Sequence, residues 1–170
     1  RLESIAKSIK KGPDFKANLL EQAGRAWLLA GDAARAEAVA TSALRLAPKD
    51  PTLLINRAQA RADLGDYSGA KIDLDSALAV VPNHIDALTF RAAAHRYLNN
   101  WPSAMADVNT VLMRNPNHPE ALLERGISRR LNDDNAGARA DWLKLLETAP
   151  HSSAATAARA NLEKMDLKIE

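Results

Sequence analysis

Apolar residues recur along the chain at helical spacing, in segments separated by glycine, asparagine, aspartate and proline. In residues 51–84 the first segment begins at Pro51, which suits the first turn of a helix because proline lacks an N–H group. The stretch GDYSG predicts a turn, and a second apolar stripe follows until Pro82 ends it. The pattern therefore predicts two helices joined by a tight turn. Their apolar positions are Leu53, Leu54, Ala58, Ala62 and Leu64, then Ala70, Leu74, Ala77, Leu78 and Val81.

This pattern recurs every 34 residues. Four columns hold the same residue in each copy: Pro48, Pro82, Pro116 and Pro150; Ala36, Ala70, Ala104 and Ala138; Leu20, Leu54, Leu88 and Leu122; Leu44, Leu78, Leu112 and Leu146. Turn-forming pairs follow the same step, with GD at 31–32, GD at 65–66, NN at 99–100 and DD at 133–134. Because neither helix can bury its apolar face alone, the repeats are expected to stack.

A 34-residue helix–turn–helix with leucine at its fourth position, small residues at its eighth and twentieth and proline at its thirty-second resembles the tetratricopeptide repeat. The resemblance implies an all-α fold, a right-handed α-solenoid of stacked antiparallel helix pairs. The sequence departs from the family at two aromatic columns. The column of Trp27 continues as Arg61, His95 and Arg129, and the turn aromatic of Tyr67 and Trp101 becomes Ala33 and Asn135.

The repeats divide the chain into a central array with a helix at each end. Repeats 1 to 4 are 17–50, 51–84, 85–118 and 119–152, together 17–152. Residues 1–16 are predicted to hold an N-terminal capping helix, or the remnant of a preceding repeat, over 2–11 with Leu2, Ile5, Ala6 and Ile9 on one face. Residues 153–170 are predicted to hold a C-terminal capping helix over 153–167, whose polar back suits the end of a stacked array.

The composition argues against several classes of function. Hydrophobic residues make up 46% and charged residues 26%, which is typical of a globular domain. The net charge of +2 gives no electrostatic reason to expect nucleic acid or an anionic membrane surface as partner. No apolar run approaches the roughly 18 residues of a membrane span. We therefore expect no nucleic-acid binding and no direct membrane insertion in this region.

Two charged columns also follow the 34-residue step, and they contain the residues most easily mistaken for a catalytic pair. The columns are Asp73, Asp107 and Asp141, and Arg57, Arg91, Arg125 and Arg159. A catalytic pair need occur only once, so copies at the repeat step favour a structural ladder of exposed ion pairs, each contributing about 0–1 kcal/mol. Whether an aspartate pairs within its own repeat or with the arginine of the next repeat stays open.

Histidine offers no better chemistry. His84 and His118 share a column in the loops between repeats, and His151 lies beside the corresponding place. Adjacent helices pack about 8–10 Å apart, whereas a metal needs its ligand nitrogens about 2 Å away, so a shared metal is not predicted. His95 falls among core columns and is expected to be packed. With no phosphate-binding loop, HExxH motif or nucleophile signature, we expect no catalytic residue, no cofactor and no enzymatic activity.

The resemblance implies that ligands bind on the concave face, which the first helix of each repeat mainly lines. It places there the columns one, four, five and eight positions after the first residue of a repeat, with others near the helix end. The predicted partner-binding residues are Asn18, Glu21, Gln22, Arg25, Leu29, Thr52, Ile55, Asn56, Gln59, Asp86, Thr89, Phe90, Arg96, Tyr97, Glu120, Leu123, Glu124, Ile127 and Arg130. These columns vary while the packing columns stay constant. Their apolar members are predicted to form a strip, unless they pack against neighbouring repeats: Ile55, Phe90, Leu123 and Ile127.

One ligand class can be tested against the resemblance. Family members that hold the C-terminal carboxylate of chaperones use Lys and Asn, then Asn, then Lys and Arg in successive repeats. Asn56 occupies the middle place. The places before it hold Glu21 and Arg25, and those after it hold Asp86 and Phe90. Chaperone C-terminal tails are therefore not expected as ligands.

These observations predict a non-catalytic protein–protein interaction scaffold that binds a peptide segment or an amphipathic helix. The alternative is a self-association or spacer module, and hence a homo-oligomer, within a larger protein whose activity lies outside this chain. The start at Arg1 and the partial repeat at 2–12 motivate this alternative. The alanine-rich, arginine-leaning composition indicates a bacterial source, and a trimmed N-terminus without cysteine favours the periplasm slightly over the cytoplasm.

Overall fold

The computed structural model describes residues 2–8 and 12–166, with side chains for 2–5 and 12–166. Within these ranges the chain forms α-helices and no strand. The helices are α1 (Leu2–Ser8), α2 (Pro13–Leu29), α3 (Ala33–Leu44), α4 (Pro51–Asp63), α5 (Tyr67–Val80), α6 (Ile85–Tyr97), α7 (Trp101–Arg114), α8 (Pro119–Leu131), α9 (Asn135–Thr148) and α10 (Ser153–Asp166). Each repeat thus holds two helices, and the starts of α3, α5, α7 and α9 follow the predicted 34-residue step.

The ends of the chain differ in detail from the predicted bounds. Helix α2 begins at Pro13, one turn before residue 17, because proline suits the first turn and Asp14 complements the positive end of the helix dipole. The N-terminal helix predicted over 2–11 is described as far as Ser8, and the predicted apolar positions Ala6 and Ile9 lie outside the described side chains. Helix α10 is described to Asp166, and residue 167 lies outside the described range.

The turn inside each repeat places one residue in the left-handed region and a helix cap directly after it. The left-handed residues are Gly31, Gly65, Asn99 and Asp133, with φ of 74°, 83°, 58° and 62°. The side chain of the next residue then accepts a hydrogen bond from the first turn of the second helix, as Asp66 Oδ1 does from Gly69 N at 2.8 Å. Glycine, asparagine and aspartate tolerate the left-handed conformation best, so the predicted turns are confirmed.

The helices pack as two compact units, one from Arg1 to Ala94 (the N-terminal unit) and one from His95 to Glu170 (the C-terminal unit), with the division inside α6. In the N-terminal unit α1 packs on α2, α2 on α3, α3 on α4 and α4 on α5. In the C-terminal unit α7 packs on α8, α8 on α9, and α10 on both α8 and α9. The first helices α2 and α4 also meet, as do α8 and α10. Neighbouring first helices therefore lie side by side within each unit.

Small residues at fixed positions let paired helices approach closely. Each member of the Ala36, Ala70, Ala104 and Ala138 column exposes at most 1% of its surface. In repeat 1, a Cβ placed on Gly24 would lie 3.9 Å from the Ala36 carbonyl oxygen. In repeat 4, Gly126 instead faces the fully buried ring of Trp142, and a Cβ on Gly126 would lie 2.7 Å from Cδ1 and 2.8 Å from Cε2 of that ring. The partner of the small residue thus changes between repeats.

The repeated aspartate column is buried, which corrects the expectation of exposed ion pairs. Arg57 Nε and Nη2 donate to the two carboxylate oxygens of Asp73 at 2.8 and 2.6 Å, and Arg61 Nη1 donates at 2.8 Å. Asp73 is 2% exposed. The hydrogen bonds that Arg57 donates to Asp73 raise the pKa of Arg57; burial lowers it, and the negative charge of Asp73 raises it further. Arg61 Nε also donates to Glu37 of repeat 1 at 3.0 Å, so the network joins two repeats.

Repeat 4 contains the same network, and repeat 1 does without it. Asp141 is buried and accepts from Arg125 at 2.9 and 2.6 Å and from Arg129 at 2.7 Å. At the corresponding places repeat 1 has Ala23 and Val39, which are also buried. The protein thus shows both the ionic and the apolar solution to the same packing position, and either one is compatible with the fold.

The arginine of repeat 3 reaches back to the preceding repeat. Arg91 Nη1 donates to Asp75 of repeat 2 at 2.8 Å, and Lys71 Nζ donates to the same carboxylate at 2.7 Å. Burial raises the pKa of Asp75, but these hydrogen bonds and charges outweigh it and hold the pKa below its usual 3.8. Arg159 donates instead to the carbonyl of Pro150 at 2.8 Å. Pairing within a repeat and pairing between repeats therefore both occur.

Candidate binding surface on the first helices

Helix α2 presents most of its predicted binding residues to solvent. Asn18, Gln22, Arg25 and Leu29 are exposed, Leu29 by 90%. Glu21 is half-buried, and its carboxylate lies 3.8 Å from the guanidinium of Arg25. Such a pair on a helix surface contributes only a few tenths of a kcal/mol. The Arg25 side chain therefore remains available to a ligand.

Helix α4 keeps three of its predicted residues at the surface and buries the fourth. Thr52 is exposed, and Gln59 and Asn56 are half-buried. The Nδ2 atom of Asn56 is buried, and among the described residues it has no hydrogen-bond partner. Ile55, by contrast, exposes only 7% of its surface. Ile55 belongs to the core of the N-terminal unit and is not part of an exposed apolar strip. The alternative that this residue packs against its neighbours therefore holds at this position.

The sequence reasoning missed Asp63 at the end of α4. Burial raises the pKa of this carboxyl, and no hydrogen bond or ion pair connects Asp63 to another described residue. Asp63 stands in the same column as Leu29 and Tyr97, both of which were predicted. The 34-residue step that links Leu29 to Tyr97 therefore identifies Asp63 in the sequence.

The part of α6 that belongs to the N-terminal unit contributes two of its three predicted residues. Asp86 is exposed and Phe90 is half-buried. Thr89 is 4% exposed, and its hydroxyl donates to the carbonyl of Ile85 at 2.9 Å. Thr89 is therefore satisfied inside its own helix, and the prediction that it contacts a partner is corrected.

In the C-terminal unit, three predicted residues form one connected group. Arg96 donates to both carboxylate oxygens of Glu124, at 2.8 and 3.3 Å, and each of the two side chains is 14% exposed. Burial lowers the pKa of Arg96, but Glu124, with a smaller part from Tyr97, raises it above its ordinary value. The guanidinium lies 4.1 Å from the ring centre of Tyr97, which is 51% exposed. Arg96 and Glu124 therefore hold an exposed aromatic ring in a defined position.

Helix α8 carries the remaining predicted residues. Glu120 is exposed, and Leu123, Ile127 and Arg130 are half-buried. The sequence reasoning missed Leu131, which is 54% exposed and belongs to the Leu29 and Tyr97 column. The aliphatic residues of α8 that are at least partly exposed on this face are thus Leu123, Ile127 and Leu131.

The loop histidines serve as helix caps. His118 Nδ1 accepts a hydrogen bond from Ala121 N at 3.3 Å, and His84 Nδ1 lies 3.5 Å from Ala87 N. His95 is 6% exposed, in agreement with its predicted packed position. Among the described residues no group of three or more histidine, cysteine or acidic side chains is placed to hold a metal ion. None of the described helices combines the length and the apolar character that crossing a membrane requires.

Comparison with known proteins assigns the repeats. The pattern of the tetratricopeptide repeat family matches residues 25–96, and the solved structures most like the fold include proteins of that family. The repeats of this chain thus match those of the tetratricopeptide repeat family. The predicted family and the predicted fold class, an all-α solenoid of stacked helix pairs, are thereby confirmed. No curated protein matches this chain significantly in sequence.

Three solved tetratricopeptide repeat structures illustrate the likeness. A protein of Parabacteroides merdae is 30% identical, with a TM-score of 0.66 over 89% of this chain, which spans 60% of that relative's length. The Thermus thermophilus protein TTC0263 is 18% identical, with a TM-score of 0.78 over 88% of this chain and 84% of its own. The first repeat domain of Spaghetti (RPAP3), bound to the HSP90 peptide SRMEEVD, is 27% identical, with a TM-score of 0.61 over 73% of this chain and 91% of its own.

Proposed function

We propose that this chain is a non-catalytic scaffold that binds a peptide segment or an amphipathic helix of a partner protein on the exposed face of its first helices. One observation carries the proposal. The alanine and leucine columns that hold the helices together repeat and are buried or half-buried, whereas the columns of the first-helix face differ between repeats and remain exposed at Leu29 and Tyr97. Large apolar side chains that contribute little to packing suit the anchoring of a partner side chain.

The chemistry of the N-terminal face fits a peptide main chain. Its amide side chains carry both donors and acceptors, which match the N–H and C=O groups of an extended segment; they are Asn18, Gln22, Asn56 and Gln59. The buried Nδ2 of Asn56 has no partner among the described residues. Leaving such a donor unpaired costs about 1–3 kcal/mol. Rotation of the amide toward a ligand carbonyl would offset this cost.

The partner differs in class from a chaperone tail. The Spaghetti domain binds an HSP90 peptide, which supports peptide binding as a capacity of this fold. The residues that would clamp a C-terminal carboxylate are replaced here, because Glu21 precedes Asn56 and Asp86 follows it. Two carboxylates at those places repel a terminal carboxylate. We therefore propose an internal segment of another protein as the ligand.

The test compares apolar residues that are at least partly exposed on the two kinds of helix. The face variants are Leu29→Asp, Phe90→Ala and Ile127→Asp, and binding is measured on an array of peptides from the source proteome. The controls are Ile72→Asp and Met113→Asp, which alter residues of second helices that are 62% and 76% exposed. Circular dichroism checks that each variant is folded. We expect the face variants to lose ligands and the controls to keep them; equal loss in both sets contradicts the proposal.

Light scattering discriminates the alternative of a self-association or spacer module. A monomer that binds specific peptides on the first-helix face fits the scaffold and contradicts the spacer. A concentration-dependent oligomer whose face variants retain all binding properties supports the spacer instead.

A further inference from the structure

Repeats 3 and 4 carry arginine at the same position, but their surroundings differ. The column reads Leu28, Ala62, Arg96 and Arg130. Arg96 reaches the first helix of the following repeat, where its guanidinium donates hydrogen bonds to the carboxylate of Glu124 at 2.8 and 3.3 Å. By the 34-residue step, Arg130 should reach residue 158 on α10, the helix that packs beside α8. The repeat geometry therefore predicts a carboxylate at residue 158.

That carboxylate is missing from the protein. Residue 158 is alanine, and it is fully buried between the packed helices. No hydrogen bond or ion pair connects Arg130 to any other described residue, although the side chain is half-buried. A guanidinium gains most from a carboxylate that meets it with two parallel hydrogen bonds, as Glu124 does with Arg96. Arg130 thus presents an unsatisfied site for a carboxylate at the surface of α8.

Apolar side chains flank this guanidinium. Ile127 and Leu131 are four residues apart on α8 and therefore lie on one face of the helix, with Arg130 next to them. Ile127 is half-buried, and Leu131 is 54% exposed. The surface combines one cationic group with two adjacent aliphatic side chains. A ligand that complements it needs both an anionic group and an apolar side chain.

We propose that the α8 face binds a partner segment in which an acidic side chain adjoins an aliphatic one. The carboxylate of the partner pairs with Arg130 in the place that Glu124 takes at Arg96, and the aliphatic side chain packs on Ile127 and Leu131. This inference rests on the proposed scaffold function and specifies the ligand chemistry of the C-terminal unit. Charge complementarity with Arg130 selects an acidic segment over a basic one.

The experiment uses synthetic 15-residue peptides as probes. Each peptide carries two leucines four residues apart and, beside one of them, Glu, Gln or Lys at a single varied position. We expect the Glu peptides to bind about tenfold more tightly than the Lys peptides, since hydrogen bonds to charged groups are the strong ones. Arg130→Gln should remove this preference, and Arg130→Glu should reverse it. Arg114→Gln, a change of an exposed arginine on α7, should leave it intact.

A second variant recreates the internal pair. Ala158→Glu would supply the carboxylate that the repeat geometry predicts, and it should compete with the peptide and weaken Glu-peptide binding about tenfold. Because residue 158 is buried, circular dichroism must show that this variant is folded. If it is not folded, the test rests on the peptide preference of Arg130→Gln.

Two results overturn the inference: no preference for Glu peptides, including no binding of any probe, or a preference that Arg130→Gln leaves unchanged. If proteome peptides still bind and depend on Phe90 or Leu29, only this inference fails. If they too show no dependence on the first-helix face, the proposed function fails with it.

Discussion

Replacement of Gly126 by alanine tests how closely α8 approaches α9. A Cβ at this position would lie 2.7 and 2.8 Å from two carbons of the Trp142 ring, with Nε1 closer still. The ring is fully buried, and its Nε1 donates to the carbonyl of Leu123 at 3.3 Å. The indole cannot turn aside without losing packing, so the helices must separate or the ring must leave its position.

The two contributions to the free energy of unfolding have opposite signs. Alanine is favoured over glycine inside a helix by about 0.5–1 kcal/mol. Overpacking of a core costs about 1–3 kcal/mol. The cost here belongs at the upper end of that range, because the added Cβ is fixed to the backbone and the Trp142 ring is rigid. We therefore expect Gly126→Ala to lower the free energy of unfolding by about 1–2 kcal/mol and the melting temperature by about 2–8 °C.

Repeat 1 supplies the matched control. A Cβ on Gly24 would meet its nearest neighbours at 3.9 Å, an ordinary contact distance. Gly24→Ala should therefore stabilise the protein by about 0.5–1 kcal/mol. Thermal unfolding followed by far-ultraviolet circular dichroism measures both variants. A change of the same sign in both would refute the steric reasoning.

A compensating substitution tests the same contact from the other side. Repeat 2 has Ala58 and Leu74 at the positions where repeat 4 has Gly126 and Trp142. The double variant Gly126→Ala, Trp142→Leu should therefore be more stable than the sum of the two single changes. Additive losses would show that the alanine and the ring do not collide.

Three further predictions concern charges and turns. Asp73→Asn should lower the free energy of unfolding in urea by about 3–5 kcal/mol, because two guanidinium groups lose a buried counter-charge; a loss no larger than that of the more exposed Asp75→Asn would contradict the buried network. Asp133→Gly should stabilise by about 0.5–1 kcal/mol, because residue 133 has φ of 62°, whereas Asn132→Gly should not. The depressed pKa of Asp75 means that its stabilisation is complete well above pH 3.8 and is lost as pH falls through the folded-state value; a constant difference between wild type and Asp75→Asn down to pH 2 would refute it.

Local features of the fold were readable from the sequence because they depend on residues close together along the chain. The turn at Gly65 and Asp66 needs a residue that tolerates positive φ and a side chain that reaches an N–H group three residues ahead. The alanine column at Ala70 needs only the recurrence of a small residue at one step. Both are properties of a single repeat, and four copies made each one visible.

Burial and pairing were decided by the tertiary structure. Ile55 and Leu29 were both predicted to lie on the binding face, but Ile55 is buried and Leu29 is almost fully exposed. The column that contains Asp73 suggested exposed ion pairs, yet the helices around it exclude water.

The two arginines of one column show why the sequence alone could not decide which charges are paired. Arg96 and Arg130 are the same residue at the same repeat position, and only Arg96 has a carboxylate from the next first helix within 3 Å. An ion pair depends on side-chain distances of a few ångströms between residues that are 28 positions apart in the chain. The sequence determined where the charges recur along the chain, and the packing of the helices determined which of them is already neutralised inside the protein.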